Sequence, residues 1–133
     1  MKPFVTNIEQ DTLENNNFRK VLFTARYSQL VVMTLQPGED IGKETHGFDQ
    51  FIRIEQGIGK AILDGVEYDV EDDWAMVIPG GVEHNVVNSG EIAMKLYTVY
   101  SPPEHKDGTV HVTKEQGEAD HDNDHFDGVV TEL

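Results

Sequence analysis

Short runs rich in β-branched and aromatic residues, each about a strand long and parted by Gly, Pro, Asp or Asn, fill the middle of this chain. From Phe18 the runs RKVLFTARY and SQLVVMTLQ predict two strands, and Pro37-Gly38 ends the second with a turn. IGKETH, QFIRIEQ, GKAILDG, VEYDVE, WAMVIPG, VEHNVVN and AMKLYTVYS follow and predict the rest. Phe51, Ile52 and Ile54 share a run with Arg53 and Glu55, the mixed alternation of a half-buried strand. Asp64-Gly65 between AIL and VEY predicts a two-residue hairpin. Nine or ten short strands with no convincing helix among them predict an all-β sandwich or barrel. Trp74, Phe51 and Ile78 are expected in its core.

The pattern stops at both ends. Residues 1–17 are polar apart from Phe4, Val5 and Ile8, and Glu14-Asn15-Asn16-Asn17 favours turns over regular elements. Pro102-Pro103 cannot continue a central strand. Thr113 to Ala119 can make one or two turns of helix, weakened by Gly117, and the polar, acidic ADHDNDHFDGVVTEL is expected to be mobile. The resulting division is an N-terminal arm (1–17), a barrel domain (18–112) and an acidic tail (113–133).

Composition narrows the function classes. A length of 133 residues suits one domain with a single core. Ten basic residues against twenty-five acidic give a net charge of -15, which repels phosphate backbones and anionic lipid and argues against nucleic-acid or membrane partners. No cysteine is present, so disulfides, thiolate metal sites and cysteine nucleophiles are excluded. The amino terminus lacks an apolar signal core, and no apolar run reaches the roughly 18 residues of a membrane helix. A soluble, cytoplasmic protein is expected.

The stretch from Gly38 to Gly57 carries the candidate chemistry. Glu44 and His46 stand at i and i+2 of one predicted strand and face one side of it. Gln50 follows after the turn Gly47-Phe48-Asp49, and His84 is brought from a neighbouring strand. Imidazole nitrogen with carboxylate and amide oxygen suits a borderline divalent metal, and four protein ligands leave open positions on a five- or six-coordinate ion. Such an ion could be Mn, Fe, Zn, Ni or Co, one per chain.

The same residues carry a family resemblance. Gly38, Glu44, His46, Gln50 and Gly57 keep the spacing of the first cupin motif, and Asp73, Pro79, Gly81, His84 and Asn88 that of the second. Glu44 stands where that motif has a histidine, Gln50 where it has a glutamate, and Asp73 where it has a glycine. The chain resembles small single-domain bacterial cupins of the RmlC-like kind, often labelled mannose-6-phosphate isomerase-like. The resemblance implies a double-stranded β-helix, or jelly-roll, barrel with a metal inside, often a homodimer.

Other side chains are candidates for the same pocket. On the last long strand, alternation turns either Thr98 with Tyr100 or Tyr97 with Val99 inward. Tyr97, Tyr100 and His105 are the candidate catalytic groups. Arg53 and Arg26 could hold an anionic substrate if inward, although surface ion pairs suit them better. Phe48 fits the pocket mouth or a partly buried loop. His105 and His111 can fold over the rim, whereas His121 and His125, in an Asp-rich tract, read as solvated. The expected function is a metal-dependent enzyme, of isomerase or oxygenase type, on a small sugar-like or keto/enol substrate. The alternative is a non-catalytic sugar-binding or sensing cupin whose metal is structural or absent.

Overall fold

The structure, a computed structural model, describes residues 1–132. After helix α1 (Ile8–Glu14) come strands β1 (Arg19–Thr24), β2 (Gln29–Leu35), β3 (Asp49–Gln56), β4 (Ile58–Leu63), β5 (Val66–Glu71), β6 (Ala75–Ile78), β7 (His84–Asn88), β8 (Met94–Ser101) and β9 (Val110–His111), and then helix α2 (Lys114–Ala119). Two antiparallel sheets result, one ordered β6-β3-β8-β2-β1-β9 and the other β5-β4-β7. This is the all-β architecture that the strand pattern predicts, in the jelly-roll form that the resemblance implies. Side chains alternate along each strand, so Met33, Leu35, Ile52, Ile54, Ile78, Val86, Met94 and Leu96 point into the space between the sheets and are fully buried there. Asp64 and Gly65 both take positive φ in the β4–β5 hairpin, as a tight two-residue turn requires.

The strand predicted over IGKETH does not form as a regular element. Residues 38–44 run along β7 through bonds such as Ile41 N–H to Val86 O (3.0 Å) and the reciprocal Glu44–His84 pair (3.0 and 2.9 Å). Gly42, at φ 110°, breaks the extended run, and only Asp40–Val87 and Glu44–His84 remain as bridges. Two core expectations also change. Trp74 lies just before β6 and is 51% exposed, because Met76 and Ile78 take the inward positions of that strand. Phe51 has the opposite parity to Gln50, Ile52 and Ile54, so it is half-buried on the outer face beside Tyr97.

Both chain ends pack against the barrel. The arm contains α1, started by Asn7, whose side chain accepts from Gln10 N–H, and ended before the asparagine run. Asn15 then donates to Asn17 O and Thr34 Oγ1, while its carbonyl accepts from Lys95 Nζ. These contacts cover the outer face of β2 and β8, which is why Val32, Thr34 and Lys95 are buried as well as the core side of both strands. Helix α2 forms over the predicted stretch, capped by Thr113. The tail beyond it, expected to be mobile, lies against the barrel: Phe126 N–H bonds Glu104 O (2.7 Å), Asp124 O accepts from Lys106 N–H (2.7 Å), and Thr131 N–H bonds Thr24 O (2.9 Å). No helix among the described residues is long and apolar enough to cross a membrane.

Candidate metal centre

Strand parity and one bridge assemble the site. Glu44 and His84 face each other across their bridge, His46 follows two residues on, and Gln50 comes from the opposite sheet on β3. One ligand atom each from Glu44, His46 and His84 lies within 4.8 Å of the others. Gln50 Oε1 is 3.2 Å from His46 Nε2, so all four predicted ligands meet between the sheets.

Hydrogen bonding shows which lone pairs point inward. His84 Nδ1–H donates to Val82 O at 2.9 Å, and His46 Nδ1–H donates to Phe48 O at 3.2 Å. In each neutral ring the Nε2 lone pair is therefore the one presented to the site. Burial, and then the adjacent His84 ring, hold His46 below the usual imidazole range, which favours that neutral form. The amide of Gln50 donates through Nε2 to Thr98 Oγ1 at 3.0 Å, which turns Oε1 toward His46. An acceptor oxygen and an acceptor nitrogen thus face each other at 3.2 Å with no proton between them. A cation among them would turn this repulsion into coordination, so the donor set fits a divalent transition metal. Phe48 stacks on the His46 ring at 3.9 Å and packs against the core, which fixes that ring in place.

Glu104 was not anticipated. Its Oε2 is buried without a hydrogen-bond partner and sits 3.9 Å from His46 Nε2. Burial, and then the Glu44 charge, push its carboxyl up to about 7. A fully bonded glutamine fixes it: Gln29 Oε1 accepts from the Glu104 and His105 amides (3.3 and 3.0 Å), and Gln29 Nε2 donates to His105 O (2.7 Å) and Thr24 Oγ1 (2.9 Å). No fixed spacing links Gln29 or Glu104 to the ligands, so only the fold reveals them.

The candidate catalytic groups divide. Cross-strand register pairs Gln50 with Tyr100 and Ile52 with Thr98, so Thr98 and Tyr100 face inward. Tyr97 pairs with Arg53 on the outer face, away from the site, because its parity is opposite. Tyr100 is 2% exposed, and its ring lies 6.3 Å from His46 and 5.3 Å from His105. Burial pushes its hydroxyl far above the usual phenol range. His105 Nδ1 bonds Asp124 Oδ2 at 2.9 Å, while its Nε2 is buried and unpartnered. Arg53 pairs with Glu55 and Asp73, the expected surface arrangement, and Arg26 is exposed. His121 and His125 are exposed, with their rings 5.6 Å apart.

A second cluster, His111, Asp120 and Asp124, also brings metal-type atoms together. Here both His111 nitrogens are already occupied. Arg19 donates to Nδ1 at 3.1 Å, and Nε2–H donates to Asp120 Oδ2 at 2.9 Å. The adjoining guanidinium also repels a cation, so this is a bonded network joining β1, β9 and the tail.

Burial, which outweighs the Asp124 bond, lowers His105 to about 4. Asp124 is also held below its ordinary value: burial works against this, but the His105 bond prevails. Between about pH 6.5 and 4 the unfolded chain therefore binds more protons at His105 than the folded one, and stability falls as pH falls through that window. We expect thermal unfolding at pH 7, 5.5 and 4.5 to show a steeper loss in the parent than in His105→Gln. Parallel curves for the two proteins would refute this.

Comparison with known proteins agrees with the architecture. The family model described as Cupin domain matches residues 31–100. The uncharacterized protein YrkC of Bacillus subtilis is 48% identical over 120 residues, covering 85% of this chain and 64% of its own length; this chain thus spans just under two thirds of that relative. The crystal structure of BH2720 from Bacillus halodurans superposes with a TM-score of 0.87 at 44% identity, over 89% of this chain and 95% of that one. An RmlC-like cupin from Shewanella frigidimarina shares the fold at a TM-score of 0.59 and 20% identity, over 63% of this chain and 74% of its own. With the family-model match, and with side chains of the two motif stretches meeting between two antiparallel sheets, the chain belongs to the cupin family.

Proposed function

We propose that this cupin binds one divalent transition metal through Glu44, His46, Gln50 and His84, and uses it as an enzyme on a small oxygenated molecule, either sugar-like or a keto/enol acid. One observation carries the reading. The Nε2 atoms of two imidazoles, a primary-amide oxygen and a carboxylate face one point, and none of them has a donor partner there. The chemistry such a metal supplies is Lewis-acid polarisation of a bound oxygen, or oxidation, so isomerase and oxygenase types both belong to the proposal. The chain's own residues supply proton handling. Glu104, with its carboxyl raised to about 7, can hold or release a proton near neutral pH beside His46. His105 is oriented by Asp124 and presents a free Nε2 lone pair within the same wall as Tyr100.

Manganese, iron, zinc, nickel and cobalt all suit this donor set. The proposal extends to a cytoplasmic homodimer, for which the outer face of the large sheet offers apolar surface: Val77 is 69% exposed on β6, next to Phe51 and its neighbour Tyr97. Elemental analysis of protein purified without added metal is expected to give close to one transition-metal ion per chain. A value near zero that does not rise on incubation with any of the five ions would overturn the proposal. A loaded site in which bound water does not exchange would support the non-catalytic alternative.

A further inference from the structure

We infer that the cavity between α2 and residues 41–44 is an anion subsite, which takes the carboxylate or phosphate group of a small ligand on the guanidinium of Arg19. Arg19 opens β1 with its side chain inward and is 6% exposed. Its guanidinium lies over the Phe18 ring at 5.1 Å and donates through one terminal nitrogen to His111 Nδ1. Its Nε is buried with no hydrogen-bond partner, and no described carboxylate forms an ion pair with it. A guanidinium is a permanent cation with five donors, and burying one without a contacting anion is costly. Its one hydrogen-bond partner here is the His111 ring nitrogen, and the carboxylates that feel its charge, Glu104 and Asp124, form no ion pair with it. An oxyanion would supply a contacting charge and acceptors for a planar fork.

The cavity supports the same conclusion independently. It holds about 270 Å³ and is lined by Arg19, Lys43, Lys114, Glu44 and Glu118 among others. Three of the chain's ten lysines and arginines therefore surround one cavity in a protein of net charge -15. Lys43 is paired with Glu83, and Lys114 with Asp40 and Glu118, so Arg19 is the cation there with no carboxylate of its own. Gly117 fixes the guanidinium from the other side: a Cβ at this position would lie 3.2 Å from the Arg19 terminal nitrogen and 3.4 Å from His111 Nδ1. The glycine that weakens α2 thus lets the helix backbone close on Arg19.

Glu44 lines this cavity and also belongs to the metal centre. A ligand anchored at Arg19 by its acidic end therefore extends toward the metal. This last step rests on the metal reading, whereas the anion subsite does not.

Calorimetric titration of metal-free and metal-loaded protein with glycolate, inorganic phosphate and neutral ethylene glycol tests the inference. Glycolate or phosphate is expected to bind the metal-free parent and to weaken about tenfold or more in Arg19→Gln. Ethylene glycol is expected not to bind, and Lys60→Gln, on the far β4–β5 hairpin, should bind as the parent does. The tighter of the two anions identifies the acid group. Should Arg19→Gln fail to fold, the Arg19 Nε–H signal of the parent in a nitrogen-resolved NMR spectrum still decides, because it must shift on addition of the anion. Equal binding by folded Arg19→Gln, an unmoved Nε–H signal, or no binding of either anion overturns the subsite. If anions bind but no metal loads, the metal reading fails and the subsite stands; if one metal loads but no anion binds, the reverse holds.

Discussion

His84→Ala is expected to fold and to lose transition-metal affinity by more than about 100-fold, beyond the 10–100-fold typical when only a partner of a ligand is removed. His84 is 3% exposed on β7, and its Nδ1–H is held by Val82 O, so its Nε2 reaches the site already oriented. Without it, Glu44, His46 and Gln50 remain, on one connecting segment and one strand, and the small sheet contributes nothing. Binding to the native state alone stabilises it by about 2.7 kcal/mol at a hundredfold excess over Kd, or roughly 10 °C for a domain of this size. Saturating metal should therefore raise the parent's unfolding temperature by about that much, and that of His84→Ala hardly at all. An equal rise in both proteins would mean that the ion does not bind through His84.

How far the site was legible depends on how local its determinants are. Gly38 to Gly57 and Ile78 to Asn88 could be read because turn residues and ligands keep fixed spacings, and a spacing on a strand fixes a face. The same rule left Tyr97 and Tyr100 undecided, since alternation alone gives two equivalent choices; the Gln50–Tyr100 register resolves it. Trp74 was misplaced because its size suggests burial, while its position at a turn before a four-residue strand keeps it out of the core. Arg19, Gln29, Glu104 and Asp124 were not legible at all. Gln29 meets His105 across 76 positions and Arg19 meets His111 across 92, and such pairs leave no local periodicity. The tail's acidity, read as a sign of mobility, places Asp124 and Asp120 against two buried histidines instead. Charge composition predicts solvation only where no buried partner waits in the fold.

Gly59→Ala is expected to be the most damaging one-methyl change in the chain. Gly59 lies on β4 opposite Asn88 of β7, at the point where that sheet passes under β8. A Cβ built there would stand 2.3 Å from Val87 O and 2.3 Å from Met94 Cε. The methionine end could swing aside, but it is part of a fully buried core, and the carbonyl belongs to the backbone of the paired strand. Relief therefore requires β4 and β7 to separate, which strains the ladder that carries His84 opposite Leu63. Overpacking of this kind typically costs 1–3 kcal/mol, and contact with backbone rather than a flexible side chain puts the loss near the top of that range, about 3 kcal/mol. Denaturant unfolding should show the midpoint falling with an unchanged slope, and metal affinity should weaken along with stability because His84 is displaced. Gly65→Ala provides the contrast: φ is 78° in the hairpin, so the backbone is strained, yet nothing lies within 4 Å of the added methyl. It should cost about 1 kcal/mol and leave metal affinity untouched, because its strain stays in an exposed turn. If Gly59→Ala matched Gly65→Ala in both stability and metal binding, β4 and β7 would not be in the close contact on which the position of His84 depends.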